Sequence, residues 1–226
     1  MKKVLFVLTS HEALGNTGQK TGFWIEEFAS PYYHLVDSGV NVALCTPVGG
    51  KAPSDPKSNE PSAQTPATIR FNDDVPLQER VSNTLSLASI NPADFDAVSF
   101  PGGHGPLWDL AENSFSIALI EHFYKSNKPI GAVCHGPIAF KNTKNEAGEP
   151  LVMNKKVTSF TNSEETAIAL DQIVPYSVED ELKRNGGIFS KGNDWQTYAV
   201  EDKILITGQN PASSVLVAQL LLNQLT

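Results

Sequence analysis

Short runs of apolar and β-branched residues alternate along this chain with longer segments of helical periodicity. This alternation predicts a mostly parallel sheet with helices on both of its faces. The predicted strands cover residues 3–8, 40–44, 95–100, 129–133, 156–159 and 204–207. The predicted helices cover residues 21–38 and 114–126, and a last helix begins after Asn210, a suitable N-cap, with Pro211 at its first position. Ligands of such sheets bind beyond the carboxyl ends of the strands.

The chain has the length and composition of one α/β domain spanning residues 1–226, with 40% hydrophobic and 19% charged residues. A net charge of -8 argues against a general nucleic-acid binder. The apolar run at residues 4–8 is too short for a secretory core, and no stretch approaches the length of a membrane span. Two cysteines far apart in sequence fit a reducing cytoplasm, where we expect the protein to reside.

Residues 49–76 break the alternation, because they carry five prolines among serine, asparagine, aspartate and lysine. This composition predicts a surface excursion from the domain. A long loop in a compact domain is often functional, so the excursion either covers or rims the functional site or is an inert decoration.

The most informative local motif is Pro129-Ile-Gly-Ala-Val-Cys134-His135-Gly136-Pro137. An apolar strand that ends in a cysteine and turns sharply into a helix is a nucleophile elbow, with sulfur as the nucleophile. The partial positive charge of a helix N-terminus would favour the thiolate. Cys45 ends another apolar run without a neighbouring histidine or glycine, so we expect it to be structural.

A reactive thiol needs a base, and no histidine follows position 135. The arrangement of papain-like peptidases and glutamine amidotransferases, with a histidine far downstream of the cysteine, is therefore excluded. His135 is the nearest candidate in sequence, although adjacent residues at a sharp turn need not point the same way. Its acidic partner must come from elsewhere in the fold.

Two glutamate pairs supply candidate acids. On a helix, Glu27 shares a face with Phe23, Trp24 and Pro31, whereas Glu26 faces smaller residues. We therefore expect Glu27 to be buried, with a raised pKa and a proton that it can donate to a thiolate. Glu26 is expected to be structural or to lie at the rim of the site.

The second pair, Glu164 and Glu165, follows a Thr/Asn/Ser cluster that is typical of a helix start. Taken alone, acids at such a position more often cap the helix than take part in catalysis. The need for a partner to His135 makes this pair a candidate for the acidic residue of a triad.

The motif Pro101-Gly-Gly103-His104-Gly105 follows the predicted strand 95–100. Glycines let backbone N–H groups approach a ligand, so this turn and the N–H of His135 are candidates for an oxyanion hole. His104 is either a substrate-binding residue or a polar turn residue. Glu27, His104, Cys134 and His135 could converge on zinc, but no dense Cys/His spacing supports a dedicated site, and we expect no required metal. Trp195, in a polar loop, is expected to serve packing.

Taken together, the motifs resemble the ThiJ/PfpI superfamily of class I glutamine amidotransferase-like proteins, and its glyoxalase III-like, stress-chaperone branch in particular. The matching stretches are Lys20-Thr-Gly-Phe-Trp-Ile-Glu-Glu-Phe, Phe100-Pro-Gly-Gly-His-Gly, Ala132-Val-Cys-His-Gly-Pro, Thr158-Ser-Phe-Thr-Asn-Ser-Glu-Glu and Ile206-Thr-Gly-Gln-Asn-Pro-Ala-Ser-Ser. They cover essentially the whole chain. The resemblance implies a flavodoxin-like α/β sandwich with a nucleophile elbow at Cys134.

The resemblance also implies roles for individual residues. It places a catalytic triad on Cys134, His135 and Glu165, the acid beside the cysteine on Glu27, and the oxyanion donors on the backbone of Gly103 and His135. Some relatives carry aspartate at the triad position, and the adjacent Glu164 leaves the choice between the two glutamates open. Homodimers are common in such proteins.

The activity implied is a cofactor-independent glyoxalase that converts methylglyoxal, a small dicarbonyl, to lactate. Cys134 would attack the aldehyde, and Glu27 or His135 would move a proton between the adjacent carbons. A cysteine peptidase or amidase would use the same thiol but needs an open groove instead of a small enclosed pocket. A stress-response holdase chaperone or redox-sensing protein is the alternative from another functional class.

Overall fold

A computed structural model describes residues 1–225 of the chain. Its strands are β1 (Lys3–Val7), β2 (Asn41–Thr46), β3 (Leu85–Ser86), β4 (Ala97–Phe100), β5 (Ile130–Val133), β6 (Lys156–Val157), β7 (Ile188–Phe189), β8 (Ala199–Asp202) and β9 (Leu205–Gly208). Seven of them form one sheet in the order β3-β2-β1-β4-β5-β9-β8. Its neighbouring strands are parallel except for β8, which runs antiparallel to β9. β6 and β7 form a separate parallel pair.

Helices cover both faces of the large sheet. They are α1 (Ile25–Asp37), α2 (Pro66–Asp73), α3 (Val75–Ser82), α4 (Pro106–Asp109), α5 (Ser114–Lys125), α6 (Asn162–Ala167), α7 (Val178–Arg184) and α8 (Ser214–Leu225). On one face, α1 packs against α8 over a buried cluster that includes Phe28 and Leu221. On the other face, Phe123 of α5 and Leu182 of α7 belong to a second buried cluster. The predicted α/β sandwich is therefore confirmed.

The first predicted helix begins later than expected, at Ile25 instead of position 21. The preceding residues are extended because they pair with the chain near Pro53. The Phe23 N–H donates to the Pro53 carbonyl at 2.9 Å, and the Asp55 N–H donates to the Phe23 carbonyl at 2.8 Å. Phe23 and Trp24 therefore precede the helix, and Glu27 lies in its first turn.

The long loop expected within the surface excursion at residues 49–76 is instead largely helical. The segment contains two short 3₁₀ helices, Pro56–Asn59 and Pro61–Ala63, followed by α2 and the beginning of α3. Prolines stand in the first turn of each of these four helices, where the missing N–H costs nothing. Four of the five prolines in this segment are thus helix starters, whereas Pro53 pairs through its carbonyl with the Phe23 N–H.

Two further predictions are corrected. The strand expected at residues 156–159 is reduced to β6, which lies outside the large sheet. At the last helix, the Asn210 side chain forms no capping hydrogen bond, and the 3₁₀ turn Pro211–Ser213 precedes α8. The Asn210 amide instead donates to the Glu164 carboxylate at 2.8 Å, so a contact distant in sequence has replaced the local cap.

Among residues 1–225, none of the helices combines the length and the apolar character that crossing a membrane requires.

Candidate active site

Cys134 follows β5 in a left-handed backbone conformation, with φ of 59°. This conformation is unfavourable for a residue with a side chain, and it persists because both neighbouring peptide groups are fixed. The Cys134 N–H donates to the Gly208 carbonyl and the Cys134 carbonyl accepts from the Phe160 N–H, both at 2.9 Å. Gly136 completes the turn, since a Cβ there would lie 2.1 Å from the Phe100 carbonyl oxygen. The predicted elbow is thus present as a strained, firmly held turn.

The side chain of His135 bridges the cysteine and a glutamate. Its Nδ1 lies 3.3 Å from the Cys134 Sγ, and its Nε2 lies 2.6 Å from Oε2 of Glu165. The second oxygen of Glu165 lies 2.8 Å from Nε2 of His104, whose ring centroid is 4.2 Å from that of His135. All four side chains are buried. The adjacent cysteine and histidine therefore do face each other, and Glu165 is held between two imidazoles.

The two neighbouring glutamates have separate partners. Glu164 caps α6 in a capping box with Thr161 and also accepts hydrogen bonds from the Trp195 backbone and the Gln209 and Asn210 side chains. The carboxylate that contacts His135 belongs to Glu165. The structure thus distinguishes the two glutamates, a choice that the sequence left open.

Glu27 is completely buried in the first turn of α1 and lines the same cavity as Cys134. No donor among residues 1–225 reaches its carboxyl oxygens with good hydrogen-bond geometry. Burial raises the pKa of Glu27 to about 8, although the nearby Cys134 thiol and the N–H groups of Gly102 and Gly103 counteract this in part. Gly102 is required for this close approach, since a Cβ there would lie 2.5 Å from a Glu27 oxygen. Glu27 therefore carries a proton near neutral pH.

The resting protonation states follow from burial. Burial lowers the pKa of His135, which keeps the ring neutral, and burial also raises the pKa of the Cys134 thiol. Although burial alone would raise the pKa of Glu165, the two imidazoles hold it well below its usual value. A neutral His135 with its proton on Nε2 donates to the Glu165 carboxylate and presents Nδ1 to the thiol as an acceptor.

The expectation of a thiolate favoured by a helix N-terminus is therefore not met. The segment after Cys134 is a 3₁₀ helix of five residues, Gly136–Phe140, instead of an α-helix. Its short length and the burial of the sulfur leave the neutral thiol as the resting form. Formation of the thiolate therefore depends on His135, which can accept the thiol proton, and not on a helix dipole.

The cavity in front of Cys134 is small, with a volume of about 90 Å³. Its walls include Glu27, Cys134, His135 and the predicted residues Gly103 and His104. Among residues 1–225, the backbone N–H groups of Gly103 and His135 donate to no backbone carbonyl. Both residues line the cavity, and the Gly103 N–H also lies near the Glu27 carboxyl group.

Sequence reasoning missed the apolar part of this wall, which is formed by Trp24, Phe160, Ile168, Trp195 and Pro211. Trp195 was expected to serve packing alone, and it does pack edge-on against Phe160 with ring centroids 5.7 Å apart. The position of Trp195 at the cavity depends on contacts between loops that are distant in the chain. No local sequence pattern indicates such contacts. The one available signal was a large aromatic residue in an otherwise polar loop.

The helical segment at residues 49–76 does not contribute to this cavity. It forms one side of a neighbouring open groove of about 500 Å³, which Lys57, Glu60 and Thr65 line together with Glu26. Trp24, Trp195 and Pro211 separate this groove from the cavity, since they line both. The segment thus borders the site without covering it, and Glu26 lies at the rim.

Within the described residues 1–225, His104, His135 and Glu165 form a group that could hold a metal ion, since their ligand atoms lie within 4.8 Å of one another. This set differs from the one considered on sequence grounds, because Glu165 takes part instead of Glu27 and Cys134. Each imidazole Nε2 faces a carboxylate oxygen at hydrogen-bond distance. A cation would have to replace the protons of both hydrogen bonds.

The fold and the cysteine elbow define a class of α/β proteins, and comparison with known proteins identifies the family. The sequence model of the DJ-1/PfpI family matches residues 21–224, and the chain belongs to this family. The resemblance to the ThiJ/PfpI superfamily drawn from the motifs is thus confirmed.

Similar proteins include glyoxalase 3 of Candida albicans, 28% identical over 97% of this chain and 96% of that protein. The glutathione-independent glyoxalase HSP31 of Saccharomyces cerevisiae is also 28% identical, over 94% and 93% of the two chains. The crystal structure of the Candida albicans glyoxalase III matches with a TM-score of 0.92 at 26% identity, covering 99% of this chain and 97% of the other. Rapid Encystment Protein 24 KDa of Francisella tularensis matches with a TM-score of 0.96 at 37% identity over 100% of both chains.

Proposed function

We propose that this protein is a cysteine-dependent, glutathione-independent glyoxalase that converts methylglyoxal to lactate. The observation that carries the proposal is the cavity of about 90 Å³ that Cys134, His135 and Glu27 line together. A cavity of this size suits a three-carbon dicarbonyl and is too small for a peptide. The similarity to two proteins named as glyoxalases supports the same activity.

The first step forms a bond between the Cys134 sulfur and the aldehyde carbon. His135 lies 3.3 Å from the sulfur and takes the thiol proton, and the negatively charged Glu165 stabilises the imidazolium that results. The aldehyde oxygen becomes an oxyanion next to the N–H groups of Gly103 and His135. This oxyanion then accepts from His135 the proton that came from the thiol, which gives a neutral hemithioacetal and a neutral imidazole.

The second step moves hydrogen between the two carbons. His135 removes the proton from the carbon bound to sulfur, while the protonated Glu27 donates its proton to the ketone oxygen, which gives an enediol. His135 then protonates the second carbon, and the hydroxyl on the first carbon returns its proton to Glu27. The product is a lactoyl thioester on Cys134. Water breaks the carbon–sulfur bond, the sulfur regains a proton, and lactate leaves, so that the whole reaction adds one water.

The experiment is incubation with methylglyoxal in the absence of glutathione, followed by chiral analysis of lactate. We expect one lactate enantiomer in excess from the wild type and none above background from Cys134→Ser. Formation of lactate only when glutathione is added would refute the proposal.

The other functional classes gain less support from the site. A sensor cysteine has a lowered pKa and open access, whereas Cys134 is 4% exposed and its pKa is raised by burial. The holdase alternative stays a prediction, and it differs in one outcome: suppression of the aggregation of a client protein should survive Cys134→Ser. The homodimer and the cytoplasmic location also stay predictions, which sedimentation and cell fractionation would test.

A further inference from the structure

Trp195 stands between two cavities of very different size. It lines the catalytic cavity of about 90 Å³ and the open groove of about 500 Å³ next to it. Trp24 and Pro211 share this position but are tied into the fold, since Trp24 is the N-cap of α1 and Pro211 opens the last 3₁₀ turn. The Trp195 side chain is 46% exposed and belongs to no helix or strand. Of the three residues between the cavity and the groove, Trp195 is therefore the one that can be replaced by a smaller residue without disturbing a helix.

The backbone at Trp195 is held in place. Its φ of 64° is a left-handed conformation, which is costly for a bulky residue and persists only where the surroundings fix it. The Trp195 N–H donates to Oε1 of Glu164 at 2.8 Å. Glu164 is itself completely buried and accepts hydrogen bonds from the side chains of Gln209 and Asn210. The backbone that carries the indole is thus fixed, and the ring itself packs against Phe160.

The same amide side chains fix the rest of the Trp195 loop. Gln209 accepts a hydrogen bond from the Gly192 N–H at 2.9 Å, and Asn210 donates to the Gln196 carbonyl at 3.0 Å. The loop is therefore attached to the buried Glu164 on both sides of Trp195. The two adjacent glutamates have divided roles, because Glu165 contacts the imidazoles while Glu164 anchors the wall of the cavity.

We infer that Trp195 sets the upper size limit of the substrate, by closing the catalytic cavity against the adjacent groove. This inference rests on the proposed glyoxalase function. A methyl group on the dicarbonyl fits within the cavity of about 90 Å³, whereas a phenyl group exceeds it and gains the space of the larger groove once the indole is removed. The substrate class of the wild type is therefore α-oxoaldehydes with small substituents. Removal of the indole extends that class to aryl α-oxoaldehydes.

The test compares kcat/KM for methylglyoxal and phenylglyoxal in the wild type, Trp195→Ala and Trp195→Phe. We expect Trp195→Ala to raise the ratio of phenylglyoxal to methylglyoxal at least about 10-fold, the scale on which pocket size discriminates substrates. Trp195→Phe, which retains an aromatic wall, should shift the ratio by less than about 3-fold. Phe115→Ala removes an exposed aromatic residue from α5, outside the cavity and the groove, and should leave the ratio unchanged. An unchanged ratio in Trp195→Ala would overturn the inference.

A second measurement separates this inference from the proposed function. Labelling of Cys134 by iodoacetamide and by the bulkier N-benzylmaleimide is followed by peptide mass spectrometry, which needs no turnover. Trp195→Ala should accelerate labelling by the maleimide relative to iodoacetamide, whether or not the protein converts methylglyoxal. Equal acceleration by both reagents, or none, would contradict the size limit. Absence of methylglyoxal turnover with a selective effect on labelling would refute only the glyoxalase proposal.

Discussion

The two cysteines of this chain occupy similar places and have different surroundings. Cys45 lies in β2 and Cys134 directly follows β5, and both are buried near the carboxyl ends of parallel strands. Burial raises the pKa of Cys45. Cys134 instead has a left-handed backbone, an imidazole at 3.3 Å and the carboxyl group of Glu27 nearby. Burial alone makes a thiol inert, and the neighbouring base and acid are what distinguish the second site.

The largest effect is expected on replacing the acid behind the base. Glu165→Gln should lower kcat for methylglyoxal by about 10²–10⁴-fold, because His135 loses the charge that stabilises its imidazolium. The matched control is Glu164→Gln, which should change kcat by less than about 10-fold and lower the free energy of unfolding by about 1–3 kcal/mol, since buried donors lose their acceptor. Steady-state kinetics and denaturant unfolding separate the two effects. Equal losses of kcat in both variants would mean that the two glutamates act as one structural unit.

The next prediction concerns the protonated state of Glu27. Its pKa is raised from 4.5 to about 8 in the folded protein, so this group's contribution to stability is fully present below pH 4.5 and is lost as the pH rises through 8. The free energy of unfolding of the wild type, relative to that of Glu27→Gln, should therefore fall by the order of a few kcal/mol between pH 5 and pH 8.5. Asp109, whose burial raises its pKa to about 6, titrates in both proteins and cancels in the difference.

Urea unfolding of both proteins across this pH range measures the effect. Parallel pH profiles for wild type and Glu27→Gln would show that Glu27 is ionised in the folded state. It could then not donate the proton that the mechanism assigns to it.

A smaller effect is expected from the glycine that lets Glu27 approach the elbow. The added Cβ of Gly102→Ala would lie 2.5 Å from a Glu27 oxygen and 2.7 Å from the His135 nitrogen, which forces the backbone to shift. We expect a loss of about 1–3 kcal/mol in the free energy of unfolding together with reduced activity. Gly131→Ala in β5 is the control, because its Cβ meets side chains at 3.6 Å or more, and it should cost less than about 1 kcal/mol. Equal costs at both positions would show that the close contact at Gly102 is unimportant.

Sequence patterns located the strands that carry the site, because those strands are short buried apolar runs that each end in a distinctive turn. Helical spacing correctly predicted that Glu27 is buried. The helix begins only at Ile25, but Glu27 still lies on the buried side of its first turn. The family resemblance favoured Glu165 over Glu164 as the partner of His135, but local patterns did not separate the two glutamates, because the choice depends on how α6 is capped. The position of Trp195 was likewise unpredictable, since it follows from hydrogen bonds to Glu164 between segments distant in the chain.

Resting charge was the least predictable property of the site. A helix after Cys134 suggested a stabilised thiolate, but the short 3₁₀ turn and the burial of the Cys134 sulfur reverse that expectation. Local sequence shows which titratable groups are present. Their pKa values depend on how much water the folded chain excludes around them.

The most direct test of this account is lactate formation by Cys134→Ser and Cys45→Ser, assayed side by side with methylglyoxal and without glutathione. Both substitutions replace a buried thiol with a hydroxyl, so the two variants carry a similar structural penalty, which thermal unfolding would record. We expect Cys134→Ser to lose at least about 10³-fold in kcat, as is usual for a removed nucleophile, while Cys45→Ser stays within about 3-fold of the wild type. Lactate formation at comparable rates in the two variants would contradict it.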